Sequence, residues 1–137
     1  TIWSLGTRFL PHQETTALTL PRASLRVLPE DAFMYDSLIS FVQSKATGRT
    51  MWAGPDAPEV YFLSGIQNRT RTLFEFLDRS PEAALPLLPR LDRLGASLVV
   101  LKLEPEFSPH PSPTTIATLR AAYPNSTELP GFLVLWR

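Results

Sequence analysis

The sequence predicts a three-layer α/β fold: a mostly parallel sheet, helices on both faces, and an antiparallel edge at the C-terminus. Three observations lead there. Strand-like and helix-like stretches alternate along most of the chain, the pattern of a largely parallel sheet with crossover helices. Ser97 to Leu103 (SLVVLKL) is almost wholly apolar, as a central strand covered on both faces would be. The last two strand-like stretches, Thr127–Leu129 and Phe132–Trp136, are separated only by Pro130-Gly131, which suits an antiparallel edge.

Taken in order, Thr1 to Leu20 reads as an extended lead-in whose Trp3, Leu5, Phe9 and Leu10 could pack on a partner, and 21–137 as one α/β domain. A first strand is expected at Leu25–Leu28. Pro29-Glu30-Asp31 opens a helix, with Asp31 as its N-cap and acidic residues favouring the helix dipole. Tyr35, Leu38, Ile39 and Val42 form its apolar stripe, widened by Phe33 and Phe41, and Gly48 stops it. Thr50–Ala53 is a second strand. After the Gly54-Pro55 turn, Asp56 caps a short helix that holds Pro58 in its first turn and ends at Gly65. Ile66–Thr72 is a loop, and Leu73–Leu77 is apolar, either strand or helical turn. Ser80-Pro81-Glu82 starts a helix that Pro86 and Pro89 break, with Leu87, Leu91 and Leu94 on its buried face and Gly95 closing it. Ser112-Pro113 repeats the start signal before the stripe Ile116, Leu119, Tyr123. Pro-Gly prefers a type II turn, which suits a tight hairpin poorly, so a bulged or looser connection is as compatible.

Composition removes several classes of function. A length of 137 residues fits one core, and 44% apolar against 19% charged residues is the balance of a folded domain. The formal net charge is zero, so no general field attracts nucleic acid, and no nucleic-acid partner is expected. There is no cysteine, which excludes disulfides and thiolate metal sites; His12 and His110 are far apart in Pro-flanked segments, and no metal site is expected. No apolar run is long enough to cross a bilayer. The chain opens on Thr1, not on methionine, which fits a piece of a longer protein as well as a processed chain.

The stretch Gly54–Leu77, GPDAPEVYFLSGIQNRTRTLFEFL, holds the densest mix of polar and aromatic residues and follows a strand, the usual place for a ligand in an open α/β sheet. No GxGxxG, GxxxxGK[ST] or GxSxG pattern is present, so neither a nucleotide cradle nor a serine-hydrolase elbow is supported, and no cofactor is expected. Asp56 and Glu59 could pair as carboxylates for acid–base work or a hard cation; capping a helix N-terminus is the simpler reading, because it needs no partner. Asn68, Arg69 and Arg71 could bind phosphate or a sugar hydroxyl. Against this, Asn68 could hold a turn and Arg71 could pair with Glu75. Asn68-Arg69-Thr70 also matches the short N-x-[ST] acceptor pattern. Trp52, Tyr61 and Phe62 could form a sugar-stacking platform; Trp52 and Phe62 read more simply as core, and the Tyr61 hydroxyl needs a partner.

Pro58-Glu59-Val60-Tyr61-Phe62-Leu63-Ser64-Gly65, followed by Asn68-Arg69-Thr70-Arg71, resembles a pattern in bacterial polytopic membrane glycosyltransferases of the dolichyl-phosphate-mannose-protein mannosyltransferase-like (GT-C) type. The resemblance takes in LPRxxLRVLP at Leu20–Pro29, the strand ending near Gly-Pro, and Gly131-Phe132-Leu133-Val134-Leu135 in the final strand. It implies a soluble domain that follows the last membrane helix, on the periplasmic side of a bacterial inner membrane. Its partners would be the membrane-embedded part of the same polypeptide and a glycan or lipid-linked sugar. The family's donor is a polyprenyl-phosphate sugar, and its catalytic acids lie in loops between membrane helices, so no catalytic residue is carried over to this chain. Assisting acceptor binding or capping the membrane active site is the implied role, with Asp56, Glu59, Tyr61, Asn68, Arg69 and Arg71 as candidate ligand-binding residues. A free-standing α/β small-ligand-binding domain and a structural partner-binding module are the alternatives.

Overall fold

A computed structural model describes residues 15–20 and 26–137. Its main sheet has four strands in the order β3-β4-β6-β5: β3 Met51–Gly54, β4 Leu98–Lys102, β5 Asn125–Leu129 and β6 Phe132–Trp136. β3 and β4 are parallel, while β6 runs antiparallel to both of its neighbours, β4 and β5. Three of the four strands therefore point one way and β6 alone runs against them.

Helices cover both faces, as expected. The period-2 alternation of strand side chains sends Met51, Ala53, Leu98, Val100, Phe132 and Val134 to one face. There they meet Leu38, Ile39 and Val42 of α1 (Pro29–Ala46) and Val60 and Leu63 of α2 (Pro58–Ser64). Trp52, Val99, Leu101, Leu133 and Leu135 face the other way, onto Leu91 of α3 (Leu87–Leu94) and Leu119 of α4 (Pro113–Ala122). Leu98 to Leu101 are fully buried because β4 has a strand on each side and a helix layer above and below.

The first strand departs from expectation. Arg26–Val27 (β2) pairs antiparallel with Thr16–Ala17 (β1) in a separate two-stranded ribbon and does not join the main sheet. Leu18 and Leu20, placed in the lead-in by sequence, are buried in the α1/α2 core. Trp3, Leu5, Phe9, Leu10, His12 and Leu25 lie outside the described residues.

Helix ends follow the sequence in part. Gly65 and Gly95 stop α2 and α3 in the left-handed region, and the Ser112 hydroxyl accepts the Thr115 N–H to cap α4. Asp31 is not a cap: Leu28 is the N-cap of α1, with Pro29 in the first turn. Asp56 is not one either, since the N-cap of α2 is Ala57. Phe33 and Phe62 point to solvent, 70% and 55% exposed, instead of widening the core. The broken helix resolves into a 3-10 turn at Pro81–Ala84 and then α3. Leu73–Leu77 holds a 3-10 turn, Glu75–Leu77. The hairpin is tight after all: Leu129 pairs with Phe132, so Pro130-Gly131 alone makes the turn. Gly131 takes φ +77°, the value that a type II turn demands of its third residue.

Candidate functional site

β3 is an edge strand, yet all four of its residues are buried. An edge strand turns alternate backbone groups away from its one neighbour, and these need another partner. For Ala53 that partner is Tyr61: the Ala53 N–H donates to the Tyr61 hydroxyl oxygen at 2.8 Å. Tyr61 is 7% exposed, and burial pushes its phenol up to about 12. The hydroxyl thus closes the sheet edge from the first helix after the strand.

At the next residue, Gly54 makes room for the Trp52 side chain. A Cβ at Gly54 would stand 2.6 Å from Trp52 Cζ2 and 2.8 Å from Cη2, so the indole lies against the strand where any side chain would collide. The chain then turns through Asp56, whose φ of 54° is left-handed. Its buried carboxylate accepts three hydrogen bonds, from the N–H groups of Phe107 (3.2 Å) and Ser108 (2.7 Å) and from the Ser108 hydroxyl (3.0 Å). The loop after β3 is thereby tied to the Pro-rich loop after β4.

Glu59, in the first turn of α2, receives Lys102 Nζ at 2.9 Å and the Tyr35 hydroxyl at 3.3 Å. Lys102 also donates to the Asp56 carbonyl at 3.3 Å. Burial, and then Glu59, raises the Tyr35 phenol far above its ordinary value. Asp56 and Glu59 therefore do not form a carboxylate pair facing one ligand; each has its own basic or backbone partners. Among the described residues no group of three His, Asp or Glu side chains could hold a metal ion.

Asn68 is likewise engaged within its own loop. Its Oδ1 accepts the Thr70 N–H at 2.8 Å and lies 2.7 Å from the Thr70 hydroxyl, while Nδ2 donates to the Thr72 carbonyl at 3.3 Å. This is the turn-holding role, and it leaves Arg69 and Arg71 projecting from a fixed loop.

Those two arginines line a cleft of about 260 Å³ with Trp52, Glu75 and, from α3, Arg90 and Arg93. Arg71 does not pair with Glu75. Glu75 instead takes Arg90 Nη1 at 2.6 Å, because the 3-10 turn swings its carboxylate towards α3. Among the described residues Arg69, Arg71 and Arg93 have no carboxylate within ion-pair distance. A second cleft of about 440 Å³ shares Trp52, Glu75 and Arg90 with the first and is lined further by Pro55, Phe76, Leu87, Ser108 and His110. Pro55 follows β3 and Ser108 follows β4, so the double cleft sits at the C-terminal ends of the parallel pair, the place where α/β sheets bind ligands.

Of the six residues singled out by sequence, the structure brings Arg69 and Arg71 to the cleft. Asp56, Glu59, Tyr61 and Asn68 line neither cleft; each is engaged in hydrogen bonds within the fold. Trp52 and Tyr61 lie on opposite faces of the sheet, so no three-ring stacking platform exists. Arg90 and Arg93 were not anticipated. Their spacing of three on a helix puts both on one side, but nothing local to that helix ties the side to the 66–72 loop. Comparison with protein-family models, with curated proteins and with solved structures found no match.

Proposed function

We propose that this chain is an extracytoplasmic domain of a bacterial inner-membrane glycosyltransferase that uses a lipid-linked sugar donor. In this reading it is an accessory domain, turning nothing over by itself, that helps bind the acceptor or caps the membrane active site. One observation supports the reading: of the residues that bear the resemblance, Arg69 and Arg71 line the cleft at the C-terminal end of β3, and Pro58–Ser64 form the helix that follows that strand. A stretch with a purely packing role would have no reason to place Arg69 and Arg71 over an open cleft beside Trp52. The overlap of the resemblance with the cleft is at Arg69 and Arg71, on a loop beyond a strand end, where polar residues most often serve a ligand.

The test is an immunoblot of the source organism with an antibody to this domain, on carbonate-washed membranes and on the soluble fraction. The expected result is a band several times larger than the chain, retained in the membranes. A band of the chain's own size in the soluble fraction would overturn the proposal in favour of a free-standing ligand-binding domain, which the cleft would equally serve.

A further inference from the structure

We infer that the arginine compartment binds a phosphate group, carried either by a small soluble phosphate ester or by a lipid headgroup. The cleft is lined by four arginines and three carboxylates, those of Glu75, Asp78 and Glu82. Two of the three carboxylates are already engaged. Glu75 is held by Arg90 at 2.6 Å. Asp78 Oδ1 accepts the Ser80 N–H at 2.8 Å, and this bond above all holds the carboxyl below its ordinary range. The arginines are in the reverse condition, since three of four have no carboxylate partner among the described residues.

Arg90 adds an orientation. Nη1 is spent on Glu75, and Nε is buried with no hydrogen-bond partner, the one such side-chain atom found among the described residues. The Nε/Nη2 edge is the side of a guanidinium that matches two oxygens of one phosphate. Neighbouring protein atoms close off Nε, so an oxyanion reaches the full edge only once the guanidinium rotates to uncover it, and would then satisfy a group that is otherwise costly to leave unpaired. Arg93 follows one turn along the same helix, and Arg69 and Arg71 approach from the loop that Asn68 fixes. The local excess of one positive charge suits a phosphate ester better than a polyanion. The adjoining cleft, lined by Pro55, Phe76, Leu87 and Leu101 together with Ser108 and His110, accommodates the esterified group. The two compartments together fall within the range of roughly 300–1,000 Å³ usual for small-molecule sites.

This inference rests on the cleft alone and does not need the membrane assignment. It is tested on the purified chain by following the arginine Nε–H signals during titration with glucose 1-phosphate, and in parallel by co-sedimentation with phosphatidic acid or phosphatidylcholine vesicles. The expected result is movement of the Arg69, Arg71, Arg90 and Arg93 signals by the sugar phosphate, or retention on phosphatidic acid but not on phosphatidylcholine. The first outcome assigns a soluble ligand and the second a headgroup. Arg71→Gln and Arg93→Gln, both at exposed positions, are each expected to weaken that binding on the order of tenfold. Arg120→Gln, on α4 and outside the cleft, is expected to leave it unchanged. No binding of either probe would overturn the inference. So would equal signal shifts with sodium chloride at matched ionic strength, or an Arg120→Gln effect as large as those of the cleft variants. A failed titration leaves the fractionation experiment standing, and a failed fractionation leaves the titration standing.

Discussion

Replacing Tyr61 by phenylalanine removes one oxygen atom and keeps the ring that packs between α2 and the sheet. The oxygen is the acceptor for the Ala53 N–H, 2.8 Å away, in a site where both residues are buried. Phenylalanine leaves that N–H without a partner and without water, which costs about 1–3 kcal/mol. Removal of a desolvated hydroxyl offsets little of this, because the same hydroxyl was hydrogen-bonded. Taking about 2 kcal/mol as the net loss, the urea midpoint should fall by roughly 1 M at unchanged m-value. Tm should fall by roughly 6–8 °C for a domain of this size. Equilibrium urea denaturation and thermal unfolding, both followed by circular dichroism, measure the two shifts. A Tyr61→Phe variant as stable as the parent would refute the view that this hydroxyl seals the sheet.

Other outcomes follow from the same frame. Gly54→Ala should destabilise by about 1–3 kcal/mol through the collision with Trp52, and should change Trp52 fluorescence as the indole is driven off the strand; calorimetry and emission spectra report the two effects. Asp56→Ala should cost about 3 kcal/mol, since three hydrogen bonds to one buried carboxylate are lost at a residue with left-handed φ, and amide exchange should accelerate at Phe107 and Ser108. All three tyrosines should resist alkaline titration, because burial raises Tyr35, Tyr61 and Tyr123. For Tyr61 the folded state keeps its proton up to about 12 against an ordinary 10.0, so its contribution to stability is intact below pH 10 and is lost as pH rises through 12. Tyrosinate absorbance should therefore be absent near pH 10 and appear together with unfolding at higher pH; a simple titration centred on pH 10 with the fold intact would contradict this.

The sequence made the layers legible because their signals are local and strong. SLVVLKL has no polar face to give to solvent, and the α1 stripe at Leu38, Ile39 and Val42 has one buried side at helical spacing. Capping was harder to read. Asp31 and Asp56 are suitable cap residues, but Pro29 and Pro58 begin their helices where no side-chain acceptor precedes them, and Asp56 serves a loop some fifty residues away. The β1/β2 ribbon was beyond local patterning, since two-residue strands carry almost no periodicity. The candidate site was half legible. Arg69 and Arg71 stood out in a polar loop. Arg90 and Arg93 came into view only when the fold brought α3 against that loop, because their relation to it is tertiary.

The proposed service of this chain to a membrane enzyme, through the cleft at the end of β3, is tested by sugar transfer from a polyprenyl-phosphate donor in membranes of the source organism. Three strains would be compared: wild type, one lacking this chain, and one carrying Arg71→Gln with Arg93→Gln. Transfer is expected to be lost in the second and reduced at least tenfold in the third, with the protein present in the membranes at its normal level. Transfer undiminished in the strain lacking the chain would contradict it.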